Sequence, residues 1–125
     1  MSHRLIVFDD DPGLLTLLRS YFGGLGWHVD VCADAGTALQ LADSDARYDA
    51  VICDLHFTGA HLGEGYEILS RARSRRPRSA VLLFTGAAGE GVREEALRRG
   101  ADEVIAKPAP LARLRDAALR AIKGP

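Results

Sequence analysis

The chain has 125 residues, enough for one domain with one hydrophobic core. Its 16 lysines and arginines nearly balance 17 aspartates and glutamates, and the net charge of −1 gives no general attraction to nucleic acid or anionic lipid. It shows neither a signal-peptide pattern nor an apolar run near the roughly 20 residues that span a membrane. We therefore expect a cytoplasmic single-domain protein, residues 1–125, with no nucleic-acid or membrane partner.

In chain order, the first predicted element is a strand at 5–8, whose unbroken apolar run is typical of a strand buried on both faces. A helix follows, with Asp11 as N-cap and Pro12 at the first helical position. Its apolar residues recur at helical spacing and predict one buried stripe. The stripe consists of Leu14, Leu17, Leu18, Tyr21, Phe22 and Leu25. Glycines just beyond Phe22 end this helix.

The second strand, at 27–32, alternates apolar and polar residues and is predicted to lie at a sheet edge with one wetter side. A helix at 35–43 and an apolar strand at 50–53 follow. The same alternation then continues to the end of the chain. Its remaining members are a helix at 64–74, a strand at 80–84, a helix at 90–99, a strand at 104–106 and a helix at 110–122. Five strand–helix units predict an α/β fold with a parallel sheet and helices on both faces.

The two cysteines, Cys32 and Cys53, each end an apolar strand-like run. Without a secretory signal, we expect free thiols in the core rather than a disulfide. Two cysteines without clustered histidines also make no zinc site. A redox role for Cys53 is the alternative, but an apolar setting makes a thiol inert and favours a core residue.

Polar side chains follow each of the four inner predicted strands. Asp9 and Asp10 follow the first strand, Asp54 the third, Thr85 the fourth and Lys107 the fifth. Because parallel strands point the same way, their carboxyl ends share one rim, which is where open α/β sheets bind ligands. We therefore expect these side chains to converge.

The chemistry of this rim suits phosphoryl transfer to a carboxylate. Three neighbouring carboxylates repel one another, and a single lysine cannot balance them. Magnesium can, because it accepts one or two carboxylates together with waters and a phosphate oxygen. Lys107 and Thr85 would then contact other phosphate oxygens. Asp54, alone at the end of a central strand, is the natural nucleophile.

Four short motifs occupy these strand ends. They are VFDDDP at 7–12, VICDL at 51–55, LFTG at 83–86 and AKP at 106–108. In this order, on alternating strands and helices, they resemble the receiver domains of two-component response regulators over essentially the whole chain. The resemblance implies a flavodoxin-like sandwich with strand order 2-1-3-4-5. Since it accounts for all 125 residues, we expect no output domain.

The resemblance also implies a role for each rim residue. Asp54 would accept a phosphoryl group from a sensor histidine kinase or a histidine phosphotransfer protein, with Mg²⁺ or Mn²⁺ as cofactor. The implied metal ligands are Asp9, Asp10, Asp54 and the backbone carbonyl of His56. Thr85 and Lys107 would contact the phosphoryl group, and the Lys107–Pro108 bond is often cis in the family. We expect a signalling protein rather than an enzyme, limited to self-phosphorylation from a phosphodonor and autodephosphorylation.

The expected output is a contact with a downstream protein through the fourth helix, the fifth strand and the fifth helix, or a phosphorelay, and a weak homodimer is left open. One alternative is a receiver-like adaptor that binds partners independently of phosphorylation. Another is a magnesium-dependent phosphatase, which usually needs a second acid two residues after the nucleophile, where this chain has His56.

Three features depart from the family or invite another interpretation. Val104 stands where the family usually has an aromatic switch residue, which leaves coupling through that position open. The loop at 57–65 is glycine-rich and about three residues longer than the common pattern. Five arginines follow the third predicted helix or end it. They are Arg71, Arg73, Arg75, Arg76 and Arg78, and we favour the charges of a solvated helix end over a nucleic-acid patch.

Overall fold

Strands and helices alternate through the computed structural model, which describes residues 2–57 and 62–122, residue 62 by its backbone alone. The strands are β1 Arg4–Phe8, β2 His28–Cys32, β3 Ala50–Cys53, β4 Ala80–Thr85 and β5 Glu103–Ala106. The helices are α1 Pro12–Gly24, α2 Ala35–Ala42, α3 Leu62–Arg75, α4 Glu90–Arg98 and α5 Leu111–Ala121. The predicted elements are confirmed, with ends that differ by at most two residues.

The five strands form one parallel sheet in the order β2-β1-β3-β4-β5, as predicted. Strands β3 and β4 are buried along their whole length, which agrees with their unbroken apolar sequences. Strand β2 lies at an edge and is only partly buried, which its alternating sequence predicts. Side chains alternate between the two faces of each strand, so the sheet divides the core into two layers.

Each core layer lies between the sheet and its own set of helices. Leu18, Phe22 and Leu114, from α1 and α5, pack in one layer with Val7 and Ile52 of the sheet. The other layer joins the opposite face of the sheet to α2, α3 and α4. Its buried helical members are Ala38, Ala42, Ile68, Leu69, Ala72 and Ala96. Helices therefore cover both faces, and the carboxyl ends of the strands form one rim between the layers.

The buried side of α1 differs from the predicted stripe. Leu15, Leu18 and Phe22 are buried, whereas Leu17 is 57% exposed and Leu25 is 45% exposed. The six predicted residues form two adjacent rows on the helix. Leu18 and Phe22 of one row are buried, whereas in the other row only Tyr21 packs, partly buried, on the core. The predicted N-terminus is confirmed: the Asp11 side chain accepts hydrogen bonds from the backbone N–H groups of residues 13 and 14.

Both cysteines are free and buried, as predicted. Cys32 and Cys53 pair in register with opposite sides of Phe8, which places them two strands, or roughly 10 Å, apart. That separation exceeds the reach of a disulfide. Burial raises the pKa of the Cys53 thiol, in keeping with an inert core residue. Within residues 2–57 and 62–122, no helix combines the length and apolarity needed to cross a membrane.

Candidate functional site

The rim residues are positioned by sheet hydrogen bonding that continues past the strand ends. The Asp9 N–H donates to the carbonyl of Cys32 at 3.1 Å, and the Asp54 N–H donates to the carbonyl of Phe8 at 3.0 Å. On the other side, the Lys107 N–H donates to the carbonyl of residue 85 at 2.9 Å. Asp9, Asp54 and Lys107 therefore project from one ordered backbone framework, and the predicted convergence is confirmed for them.

Lys107 bridges two buried carboxylates. Its ammonium nitrogen lies 2.7 Å from Oδ2 of Asp9 and 2.9 Å from Oδ2 of Asp54. Asp9 is 3% exposed and Asp54 is 5% exposed. The Lys107 nitrogen also lies 5.5 Å from the centroid of the Phe84 ring, which adds a cation–π contact. Two carboxylates are thus removed from water beside a partly exposed ammonium group, at a cost that their mutual contacts offset.

The second oxygen of each carboxylate faces a backbone N–H. Oδ1 of Asp54 accepts from the N–H of Leu55 at 2.7 Å, and Oδ1 of Asp9 accepts from the N–H of Asp11 at 3.0 Å. These bonds orient the carboxylates, but their donors are neutral backbone groups that do not neutralise the carboxylate charge. Asp9, Asp54 and Lys107 provide two carboxylates and one ammonium group, so the ammonium group alone does not balance the charge of both carboxylates.

Burial and neighbouring charge shift two pKa values here. Burial raises the pKa of the Asp9 carboxyl, and the nearby Asp54 charge adds to this, while the hydrogen bonds from Lys107 and Asp11 oppose it. For Lys107, burial lowers the pKa, but hydrogen bonds to Asp9 and Asp54 and their charges outweigh burial, so its pKa is raised. The carboxylates thus hold Lys107 protonated.

Thr85 lies at the end of β4 and is fully buried. Its hydroxyl oxygen accepts a hydrogen bond from the backbone N–H of Ala87 at 3.2 Å. A hydroxyl held in this way keeps its own proton available for another acceptor. The predicted neighbour of the phosphoryl group therefore stands at the rim, on the strand between Asp54 and Lys107.

The donors of the site suit a hard cation. Asp9 and Asp54 offer carboxylate oxygens at the rim, and the roles of Asp10 and of the backbone carbonyl of His56 as further oxygen donors stay predictions. In the part of the chain that the structure describes, no three His, Cys, Asp or Glu residues form a ready metal cluster. Lys107 instead stands between Asp9 and Asp54. The oxygen donors suit Mg²⁺, and Lys107 contacts one oxygen, Oδ2, of each carboxylate.

An open groove borders the site. It has a volume of about 400 Å³ and lies between the start of α1 and the loop after β5. Its lining is largely apolar and includes Leu14, Leu17, Phe84 and Leu111, and its charged members are Asp11 and Lys107. The same loop contains the Lys107–Pro108 bond, which is cis, as predicted.

The model of the response regulator receiver domain family matches residues 5–119. The chain belongs to this family. Receiver domains are the signalling domains of two-component systems, in which they work with histidine kinases and downstream effectors, and they are not conventional enzymes. Family membership also decides between the receiver and phosphatase interpretations of the aspartate-rich rim.

Relatives and solved structures agree with this assignment. The chain is 34% identical to the transcriptional activator protein PfeR of Pseudomonas aeruginosa over 98% of its own length, but it spans only 39% of that protein. The receiver domain of the sensor histidine kinase PA1611 from the same species matches with a TM-score of 0.79 and 26% identity, covering 97% of this chain and 98% of that one. That structure has a magnesium ion coordinated in the active site cleft.

A CheY-like receiver domain from Methanospirillum hungatei has a TM-score of 0.85. It is 24% identical, and the match covers 96% of this chain and 93% of that one. The likeness to this receiver concerns the fold.

Two features were predicted to depart from the family pattern, namely Val104 and the loop at 57–65. Val104 is fully buried in the core, next to residues of α4. Of the unusual loop, Phe57 is buried, residues 58–61 lie outside the described part of the chain, and α3 already begins at residue 62. The structure shows only where these residues lie, and their effect on signalling stays a prediction.

The arginines near the end of α3 have partners within the domain. Arg71 and Arg75 both form ion pairs with Asp43, at 3.7 Å and 3.3 Å. Arg73 pairs with Asp102 at 2.5 Å and donates to the carbonyl of Gly100 at 2.8 Å. These contacts support helix-end charges over a nucleic-acid patch, but the prediction of a solvated end is wrong for Arg76, which is buried. The sequence did not indicate that Arg73 joins α3 to the start of β5.

Proposed function

We propose that this receiver domain is a phosphorylation-controlled switch in which Asp54 accepts a phosphoryl group. The observation that supports this most directly is the setting of Asp54. Its carboxylate is buried at the end of a central strand, oriented by the N–H of Leu55, and paired with Lys107 beside a second acid, Asp9. A rigid carboxylate flanked by a fixed cation suits phosphoryl transfer, which depends on positioning and charge neutralisation.

In this proposal, Asp9, Asp10, Asp54 and the backbone carbonyl of His56 hold Mg²⁺ or Mn²⁺. The magnesium in the PA1611 receiver supports this choice of cofactor. The metal supplies positive charge for the phosphoryl oxygens. Lys107 leaves Asp9 and pairs with a phosphoryl oxygen, and the Thr85 hydroxyl donates to another.

The phosphodonor would be a sensor histidine kinase or a histidine phosphotransfer protein. The groove beside Lys107 gives a donor an apolar surface next to the site. The output would pass to a downstream protein, or to a weak homodimer, through the face formed by α4, β5 and α5. Arg93 and Leu97 of α4 and Arg113 of α5 are exposed on these helices, which makes the face mixed enough for a reversible contact.

Replacing Asp54 tests the phosphoacceptor. We expect Asp54→Asn to abolish labelling by radioactive acetyl phosphate in the presence of Mg²⁺, because the amide cannot act as the nucleophile. Asp43→Asn is a matched control, since Asp43 is exposed and pairs with arginines away from the rim. We expect it to label like the wild type. Undiminished labelling of Asp54→Asn would refute the assignment.

The adaptor alternative rests on Val104. This residue is buried and aliphatic, and it occupies the position where the family usually has an aromatic switch residue. Titration with beryllofluoride and Mg²⁺, followed by amide chemical shifts, distinguishes the two functions. A response centred on residues 54, 85 and 107 supports the switch, and its absence supports the adaptor.

A further inference from the structure

Strand β5 offers little means of carrying a change from the rim to α4. Val104 is fully buried and packs in the same core layer as Ala96 of α4, and Ala106 has only a methyl side chain. An aliphatic side chain enclosed by core residues has no exposed position to which it can rotate without opening a cavity. Besides the direct link from Thr85 through the residues between β4 and α4, the structure offers a second connection to α4 through α3.

Helix α3 provides close contact with the residue after Asp54. Leu55, whose N–H is bonded to the Asp54 carboxylate, lies directly against Gly65 in the first part of α3. A Cβ atom on Gly65 would stand 2.5 Å from the carbonyl oxygen of Leu55 and 2.6 Å from its Cα. The backbones of Gly65 and Leu55 are therefore in direct contact, and no gap between them could absorb a movement of Leu55 toward α3.

The next residue of α3 reaches α4. Tyr66 packs on the core with part of its ring exposed, and the guanidinium carbon of Arg99 lies 5.0 Å from the ring centroid. Arg99, at the C-terminal cap of α4, also donates to Oε2 of Glu95 at 2.6 Å and to the hydroxyl of Ser70 at 3.3 Å. Arg99 thus clamps the last turn of α4 onto α3.

We propose that the Tyr66–Arg99 contact couples the acceptor site to α4 in this chain. A change in the bonding of Asp54 displaces Leu55, the contact at Gly65 passes the displacement to α3, and Tyr66 moves relative to Arg99. Because the guanidinium carbon lies over the ring at 5.0 Å from its centroid, this cation–π contact depends on the relative position of the two groups. The inference rests on the proposed function, since it takes phosphorylation of Asp54 as the signal.

The test compares amide chemical shifts of α4 with and without beryllofluoride and Mg²⁺. We expect Tyr66→Leu to respond normally at residues 54, 85 and 107, while the shift changes along α4 fall to less than half of the wild-type values. Tyr66→Phe keeps the ring and should keep the α4 response. Arg99→Lys keeps the charge but loses the planar group, and should behave like Tyr66→Leu. If Tyr66→Leu folds poorly, Arg99→Lys alone tests the contact.

Arg98 gives a matched control, because it pairs with the same Glu95 but is exposed, whereas the Tyr66 ring has the guanidinium of Arg99 over it. Arg98→Lys should respond like the wild type. A full α4 response in Tyr66→Leu or Arg99→Lys, or a wild-type α4 that does not respond while the site does, overturns this inference alone. Absence of any response at residues 54, 85 and 107 in the wild type overturns the proposed function as well.

Discussion

At the scale of single residues, Lys107 determines the electrostatics of the rim. Its one positive charge faces the buried carboxylates of Asp9 and Asp54, both within hydrogen-bonding distance. The same place is where the proposed cation would bind. In the proposed function, Lys107 and the metal compete for these carboxylates. Without metal, Lys107 is the cation that pairs with both carboxylates, which would otherwise be buried charges without a counter-ion.

Removing the ammonium group tests this competition. We expect Lys107→Met to lower the melting temperature without metal, because breaking a buried pair costs about 3–5 kcal/mol. Added Mg²⁺ should then raise the melting temperature more in the variant than in the wild type, since no lysine has to be displaced. Sodium chloride of equal ionic strength is the control. An equal or smaller magnesium effect in the variant would contradict the competition.

Sequence reasoning found the rim residues but not all of their contacts. Asp9, Asp54 and Lys107 were predictable because each follows a strand, and parallel strands bring their carboxyl ends together. The double contact of Lys107 depends on side-chain positions, which spacing does not give. Arg76 was counted with surface charges but is buried, and it donates to backbone carbonyls, including that of Ala42 at 2.8 Å. Those carbonyl acceptors come from residues far away in sequence, so only the tertiary structure shows that they lie next to Arg76.

At the scale of elements, the close approach of α3 to the loop after β3 fixes the position of Asp54. Gly65 leaves room for the Leu55 backbone, which carries the N–H that orients the Asp54 carboxylate. The helical pattern predicted that α3 exists, because its apolar residues recur at helical spacing. The pattern did not show which glycine the packing requires, since Gly63 and Gly65 look alike in sequence.

Substituting Gly63 and Gly65 separately tests whether the close approach to Leu55 requires a glycine at position 65. We expect Gly65→Ala to destabilise the domain by about 1–3 kcal/mol, because its Cβ would overlap Leu55 backbone atoms that cannot rotate away. Gly63→Ala is the matched control in the same helix. Among the described residues outside its own helix backbone, no atom lies within 4 Å of the added Cβ, and the change should be neutral or stabilising by up to about 1 kcal/mol. Urea unfolding measures both. Equal effects would show that the close approach is not what matters.

At the scale of the whole molecule, the sheet has polar contacts at both ends. The carboxyl end carries the candidate site, whereas the amino end carries a network that binds elements together. Tyr48, just before β3, is buried and donates its hydroxyl to Asp30 of β2 at 2.7 Å. The guanidinium groups of Arg4 and Arg76 each lie 5.7 Å from the ring centroid of Tyr48. Tyr48 thus joins β1, β2 and the end of α3.

This network predicts a loss of stability at alkaline pH. Burial, with the hydrogen bond to Asp30, raises the pKa of Tyr48 to about 12. An unfolded tyrosine ionises near pH 10, so the stabilisation from Tyr48 is complete below pH 10 and is lost as the pH rises toward 12. The stability difference between wild type and Tyr48→Phe should therefore shrink by about 1.4 kcal/mol between pH 9 and pH 11. Using this difference cancels other groups that titrate in both proteins. Urea unfolding at each pH measures it, and a difference that stays constant over this range would contradict the raised pKa.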